Sequence, residues 1–183
     1  MQIIFLLAGI IGLIMSFFGS KMLIEIYKNK IISELKLTEN EINFDKIGLY
    51  SICVVGGGYS NNLGNFETKI TSKGIIIINT VESKPKFKFH YKGRLANEFY
   101  KFEIENPGIY NIKINNIEHL EVKESMLFSK RYFQKKLPTE KIGLIVKETS
   151  PNSKFIIGLL MTILGLQIAV WGILLAFNTE LIK

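Results

Sequence analysis

Residues 155–177 read FIIGLLMTILGLQIAVWGILLAF, and this run from Phe155 to Phe177 contains no Lys, Arg, Asp, Glu or His. At 1.5 Å per residue it spans roughly 30 Å, about the hydrocarbon thickness of a bilayer. A helix packed on a soluble core keeps a polar face, and this one has none. The stretch therefore predicts a transmembrane helix with lipid as its solvent.

Its faces are unequal. Gly158, Thr162, Gly165, Ala169, Gly172 and Ala176 recur at alternating steps of four and three, which keeps the small side chains on one stripe. Burying apolar surface gains nothing in lipid, so helices associate by close backbone approach and polar pairing, which small residues permit. The stripe predicts a helix-packing face. Gln167 lies about 200° around the helix from Gly165. A side-chain amide in hydrocarbon seeks a partner, so Gln167 is expected to contact another copy or another subunit.

At the other end, Met1 to Ser20 reads MQIIFLLAGIIGLIMSFFGS. No Lys or Arg precedes its apolar core, and Phe17 and Phe18 stand where signal cleavage needs small residues, so an uncleaved span is expected. Its length suffices if the helix continues through KMLIEIY, with Lys21 reaching the headgroups by its stem. Gly9, Gly12, Ser16 and Gly19 form a matching stripe. Two spans with matching stripes predict an antiparallel pair, both termini on one side of the membrane. Lys21, Lys28, Lys30, Lys36, Lys147 and Lys154 flank the spans on the side of the intervening domain, against Lys183 at the tail. The positive-inside rule then places that domain in the cytoplasm.

The spans absorb much of the 48% hydrophobic content, and the net charge of +7 belongs to the segment between them. About 120 residues remain there, enough for one ordinary core. The expected division is residues 1–28, a helix with a juxtamembrane extension; 29–153, a β domain; and 154–183, the second helix and tail. A helical continuation through residues 20–37 fits the apolar positions Leu23, Ile24, Tyr27, Ile31 and Leu35.

Period-two alternation marks the domain as β. Lys86-Phe87-Lys88-Phe89-His90-Tyr91-Lys92 puts aromatics on one face and bases on the other, and Phe99 to Glu105 alternates similarly, one face core and one wet. Further strands are expected at Ile47–Val55, Phe66–Thr71, Gly74–Val81, Ile109–Ile114, Glu118–Lys123 and Ile142–Glu148. Turn residues separate them, among them Gly56-Gly57-Gly58, Asn61-Asn62, Ser72-Lys73-Gly74 and Asn115-Asn116. About seven or eight short antiparallel strands predict a β-sandwich, Greek-key-like, inserted between the two transmembrane helices. Asn106-Pro107-Gly108-Ile109-Tyr110-Asn111-Ile112 resembles the tyrosine corner of Greek-key sandwiches. That resemblance implies a Tyr110 hydroxyl bonded back to nearby backbone, and it concerns architecture alone.

The residues for chemistry are few. Asp45 is the sole aspartate, and the histidines are His90 and His119. His119 and Glu121 would share a strand face by the i, i+2 rule, a pair that half-buried strands show routinely without a metal. Cys53, in the apolar strand YSICVV, reads as a core thiol, and as the only cysteine it forms no internal disulfide. The glycine run at 56–58 lacks the ending of a phosphate loop and reads as a mobile turn. No catalytic residue, cofactor or metal is expected.

Two basic surfaces remain: Lys86, Lys88 and Lys92, and the segment holding Lys130, Arg131, Lys135 and Lys136. In a domain tethered to a bilayer at both ends, these are expected to meet anionic lipid headgroups. No nucleic-acid motif accompanies the charge. The sequence predicts a two-pass membrane protein presenting a non-catalytic interaction or assembly module. Its partners would be the bilayer and a second copy or another membrane protein. The alternative is a membrane-active effector or channel subunit that oligomerises through the small-residue faces, with the β domain as sensor.

Overall fold

Helix α1 runs from Gln2 to Tyr27 in the computed structural model, which describes residues 2–72, 76–178 and 180. Met1, Lys73 and Gly74 of the expected Ser72-Lys73-Gly74 turn, and Lys183 lie outside the described residues. The helix takes in KMLIEIY and stops at Tyr27, with Lys28 N donating to Glu25 O at 3.1 Å. The expected helical continuation to residue 37 is replaced by strand β1 (Ile31–Leu35). The β-branched pair Ile31-Ile32 favours the extended chain, and β1 finds a partner strand from the far end of the domain.

The strands that follow are β2 (Glu39–Phe44), β3 (Gly48–Val55), β4 (Tyr59–Asn62), β5 (Glu67–Ser72), β6 (Ile76–Ile78), β7 (Val81–Glu82), β8 (Lys88–Tyr91), β9 (Arg94–Ile104), β10 (Gly108–Asn115) and β11 (Leu120–Lys123). A six-residue helix α2 (Phe128–Phe133), strand β12 (Gly143–Glu148) and helix α3 (Asn152–Phe177) complete the order. Every strand pair is antiparallel. One sheet has the order β1-β12-β3-β9-β7 with β8 also on β9, a second the order β2-β10-β5-β6, and β11 pairs β4. Antiparallel sheets are thus flanked by an N-terminal and a C-terminal helix, each long and apolar enough to cross a membrane.

The chain divides into two compact units, Met1–Lys28 with Ser150–Lys183, and Asn29–Thr149. In the β unit both sheets feed one core, with Ile52, Phe99, Ile104 and Leu144 from the first meeting Phe44, Ile70 and Ile112 from the second. The chain crosses between the sheets twice by the same local device. Gly48 and Gly108 open β3 and β10 at φ of 151° and 148°, a region that L side chains rarely adopt. Two residues on, Tyr50 and Tyr110 each donate a hydroxyl hydrogen bond at 2.8 Å to the carbonyl four residues upstream, of Lys46 and Asn106. Phe44 packs edge-on against both rings, at 4.7 and 5.6 Å.

Three local expectations need correction. The glycine run is a tight crossing, because Gly57 and Gly58 are buried and a side chain on Gly57 would strike the Lys123 carbonyl. Asn61 and Asn62 belong to β4. The Asn62 side chain shapes the loop after it, accepting from Gly64 N at 2.9 Å and Phe66 N at 3.1 Å. Lys92 sits outside β8, in a two-residue turn with Gly93 at φ of 48° and 76°, the left-handed pair that a tight hairpin requires.

Candidate functional site

The two long helices meet through backbone. Gly9, Gly12, Gly19, Gly158, Gly165, Ala169, Gly172 and Ala176 are buried, and Ser16 and Thr162 are half-buried. A Cβ built on Gly12 would fall 2.5 Å from Ala169 N and 2.6 Å from Gly165 O; one on Gly165 would fall 2.6 Å from Ser16 N. Gly172 lies against Gly9 and Gly19 against Thr162, so the helices run antiparallel along the seam. Thr162 donates its hydroxyl to Gly158 O at 2.7 Å, which leaves no polar atom of that side chain looking for a partner in the seam. At one end of the pair Lys154 Nζ lies 2.8 Å from Glu25 Oε2.

The rest of the helix surface is large and apolar. Ile3 is 73% exposed, Phe17 68% and Trp171 61%, and Gln167 stands exposed among such side chains. Soluble proteins rarely leave a contiguous apolar surface of this extent to water.

In the β unit the basic residues take unlike roles. Lys86 is half-buried. It donates to Ser60 O at 2.9 Å, pairs with Glu82 at 2.9 Å and sits 4.0 Å from the Phe99 ring centroid. The Lys92 ammonium pairs with Glu34. Lys88, Lys130, Lys135 and Lys136 are exposed, and among the described residues none forms an ion pair, while the Arg131 guanidinium lies over the Tyr59 ring at 4.0 Å.

The outer face of the first sheet is closed over its middle strands, where alternation along Phe99 to Glu105 predicts a wet one. Glu98 is fully buried, and its Oε1 accepts from Thr149 Oγ1 at 2.8 Å and lies 3.1 Å from Lys147 Nζ. Its Oε2 lies 3.5 Å from Lys101 Nζ. Lys147 also faces the Phe89 ring at 4.3 Å, so a cation–π contact supplements the single carboxylate shared by two ammoniums. A register shift between Ile52 and Cys53 adds one residue to β9 and re-aims this stretch. Cys53 lies in the same layer, its sulfur 3.3 Å from Ser51 Oγ. Burial, with the Glu98 charge adding to it against the Ser51 hydrogen bond, pushes the thiol up to about 12. Such a thiol carries no nucleophilic thiolate near neutrality.

The other groups of possible chemistry stay apart. His119 ends a short 3-10 turn (Ile117–His119), so it does not share a strand face with Glu121, which pairs with Lys123 at 3.2 Å. Among the described residues no three His, Cys, Asp or Glu side chains gather as a metal site needs. A cleft of about 540 Å³ is lined by His90, Arg94, Glu124, Glu140 and Lys141, a mixture of both signs that favours no one ligand charge, and Arg94 is engaged with the Lys141 carbonyl.

A feature that alternation does not reveal is the turn carrying α2. Phe128, Tyr132 and Phe133 are 73%, 76% and 87% exposed, next to Met126 and Leu127. The signal available in the sequence was the clustering of MLF and YF around Lys130 and Arg131 without a strand or helix period. Comparison of the chain with protein-family models, with curated proteins and with solved structures finds no match.

Proposed function

We propose that this chain is a two-pass integral membrane protein whose β unit, a Greek-key-like sandwich, serves as a non-catalytic interaction or assembly module at the membrane surface. The observation that carries the reading is the helix pair. Its small residues are spent on each other, while most of its large apolar side chains stand exposed, an arrangement stable in hydrocarbon and costly in water. The non-catalytic part rests on the sealed Cys53 thiol and on the internal pairing of Glu98, Lys101 and Lys147. With both spans crossing, the termini share one side, and the lysines near the spans favour a cytoplasmic β unit.

The exposed Gln167 supports a second reading, in which copies of the chain, or the chain and another membrane protein, associate into an effector or channel assembly. Retention of the full chain in membranes after alkaline extraction tests the first reading; release into the aqueous fraction refutes it. Protomer mass in mild detergent for the native chain and Gln167→Leu, together with ion flux in liposomes, tests the second. Orientation follows from labelling, from outside the cell, a cysteine that replaces Lys183.

A further inference from the structure

The turn from Ser125 to Gln134 is a built projection with an apolar tip. Its base is tied by several bonds: Ser125 N donates to Gln134 Oε1 at 3.0 Å, Lys123 Nζ donates to Arg131 O at 3.1 Å, and Leu137 N donates to Val122 O at 2.7 Å. Gly58 N donates to Glu124 O at 3.0 Å, and any side chain on Gly58 would strike Met126. Arg131 lies between the rings of Tyr59 and Phe128, at 4.0 and 5.2 Å. The fold thus holds Phe128, Tyr132 and Phe133 outward on a secured base, although an apolar tip of this kind costs free energy in water.

The charge within the projection has one sign, with Glu124 at its base accepting from Gln134 Nε2 at 3.4 Å. From Ser125 to Thr139 there is no Asp or Glu, while Lys130, Arg131, Lys135 and Lys136 fall in that stretch. Aromatic rings that seat at headgroup depth, flanked by lysines that seek phosphate, form the combination an interfacial anchor uses. We propose that the Met126–Phe133 tip docks on an anionic bilayer surface, its aromatic rings entering the interface and Lys130, Lys135 and Lys136 contacting lipid phosphates. This goes beyond the interaction module above and relies on that reading only for a supply of lipid.

The test uses the full chain with Phe133→Trp and Trp171→Phe, reconstituted into phosphatidylcholine vesicles with or without phosphatidylglycerol. The expected result is a blue-shifted emission at position 133, quenched by brominated acyl chains, in the anionic vesicles alone and reversed by high salt. Adding Lys130→Gln, Lys135→Gln and Lys136→Gln lowers the ratio of inserted to free tip by about a hundredfold, from about fivefold per cation. Emission at the water-exposed wavelength in anionic vesicles overturns the proposal, as does equal quenching without anionic lipid. A blue shift in anionic vesicles that brominated acyl chains do not quench overturns it too, since the occupant is then protein. Flotation of the same vesicles reads the two-span proposal separately: a chain that floats with an unquenched tip refutes only the docking, and a chain that does not float refutes the spans.

Discussion

The seam between α1 and α3 predicts a graded response to adding a single carbon. At Gly12 the new Cβ would meet Ala169 N at 2.5 Å and Gly165 O at 2.6 Å, and at Gly172 it would meet Gly9 N at 2.5 Å. These are backbone atoms, which no rotamer change can move, so the helices must part locally by roughly 1 Å, and a gap of that size forfeits a quarter to a half of each contact's dispersion energy. Overpacking of this sort costs about 1–3 kcal/mol, against a gain of up to about 1 kcal/mol from the better helix propensity of alanine. Gly12→Ala and Gly172→Ala are therefore expected to destabilise the pair by about 1–2 kcal/mol. Gly9 differs, because its nearest neighbour is the Ile173 Cγ1 atom at 3.1 Å, a side-chain atom that can give way, and its nearest backbone atom, Ile173 N, stands back at 3.3 Å. Gly9→Ala is expected to be neutral or mildly stabilising, and the outward-facing Leu13→Ala to leave the pair unchanged. SDS titration of the full chain in bicelles, followed by Trp171 fluorescence, reads these differences. Equal stability of Gly9→Ala and Gly12→Ala would refute the claim that backbone contact holds the seam.

Three further outcomes follow from the β unit. Cys53 is expected to resist maleimide at pH 8 in the folded chain and to react once denaturant opens the sheet, and rapid labelling without denaturant contradicts the buried environment described. Glu98→Ala leaves the Lys101 and Lys147 ammoniums buried without their carboxylate and is expected to cost about 3–5 kcal/mol in chemical denaturation; adding Lys101→Met and Lys147→Met should restore most of that loss. The Lys86 hydrogen bond, against some desolvation, holds the Glu82 carboxyl below its ordinary range, and the Lys92 and Tyr91 hydrogen bonds do the same for Glu34. A lowered folded value stabilises the fold above the unfolded glutamate value of about 4.3 and loses that contribution as pH falls toward the lowered one. The double variant Glu82→Gln, Glu34→Gln should show a shallower loss of stability on acidification through that window, measured by urea midpoint against pH.

The helices are legible in the sequence because each is a long, nearly uncharged run, apolar enough to cross a membrane, and the main strands because aromatic and basic residues alternate in them. What stayed hidden depends on partners distant in sequence. Strand β1 reads as a helix by spacing and becomes a strand because β12 offers it an edge, with Ile31 paired to Lys147. Strand β2 has only Ile42 and Phe44 to mark it and rests on pairing with β10. Lysines 101 and 147 look solvated until the extra residue in β9 turns Glu98 onto the outer face of the sheet to meet them. The corner at Tyr110 is visible in its local motif, whereas the equivalent one at Tyr50 shares only the Gly-x-Tyr spacing and lacks the Asn-Pro that draws the eye. The exposed tip around α2 escapes any periodic reading, since its side chains are defined by what fails to cover them.

The chain enters and leaves the β unit on neighbouring strands at one rung: Glu148 N donates to Lys30 O at 2.8 Å beside the Ile31 and Lys147 pair, and an irregularity interrupts the ladder before Ser33. Tension on the two connecting segments is consequently delivered to one end of an antiparallel ladder, where bonds yield one after another instead of sharing the load in shear. The first rung, isolated by the irregularity behind it, acts as a mechanical fuse. Strand β1, paired along one edge only, peels away before β12, which β3 also holds through Thr149 N on Leu49 O at 2.9 Å.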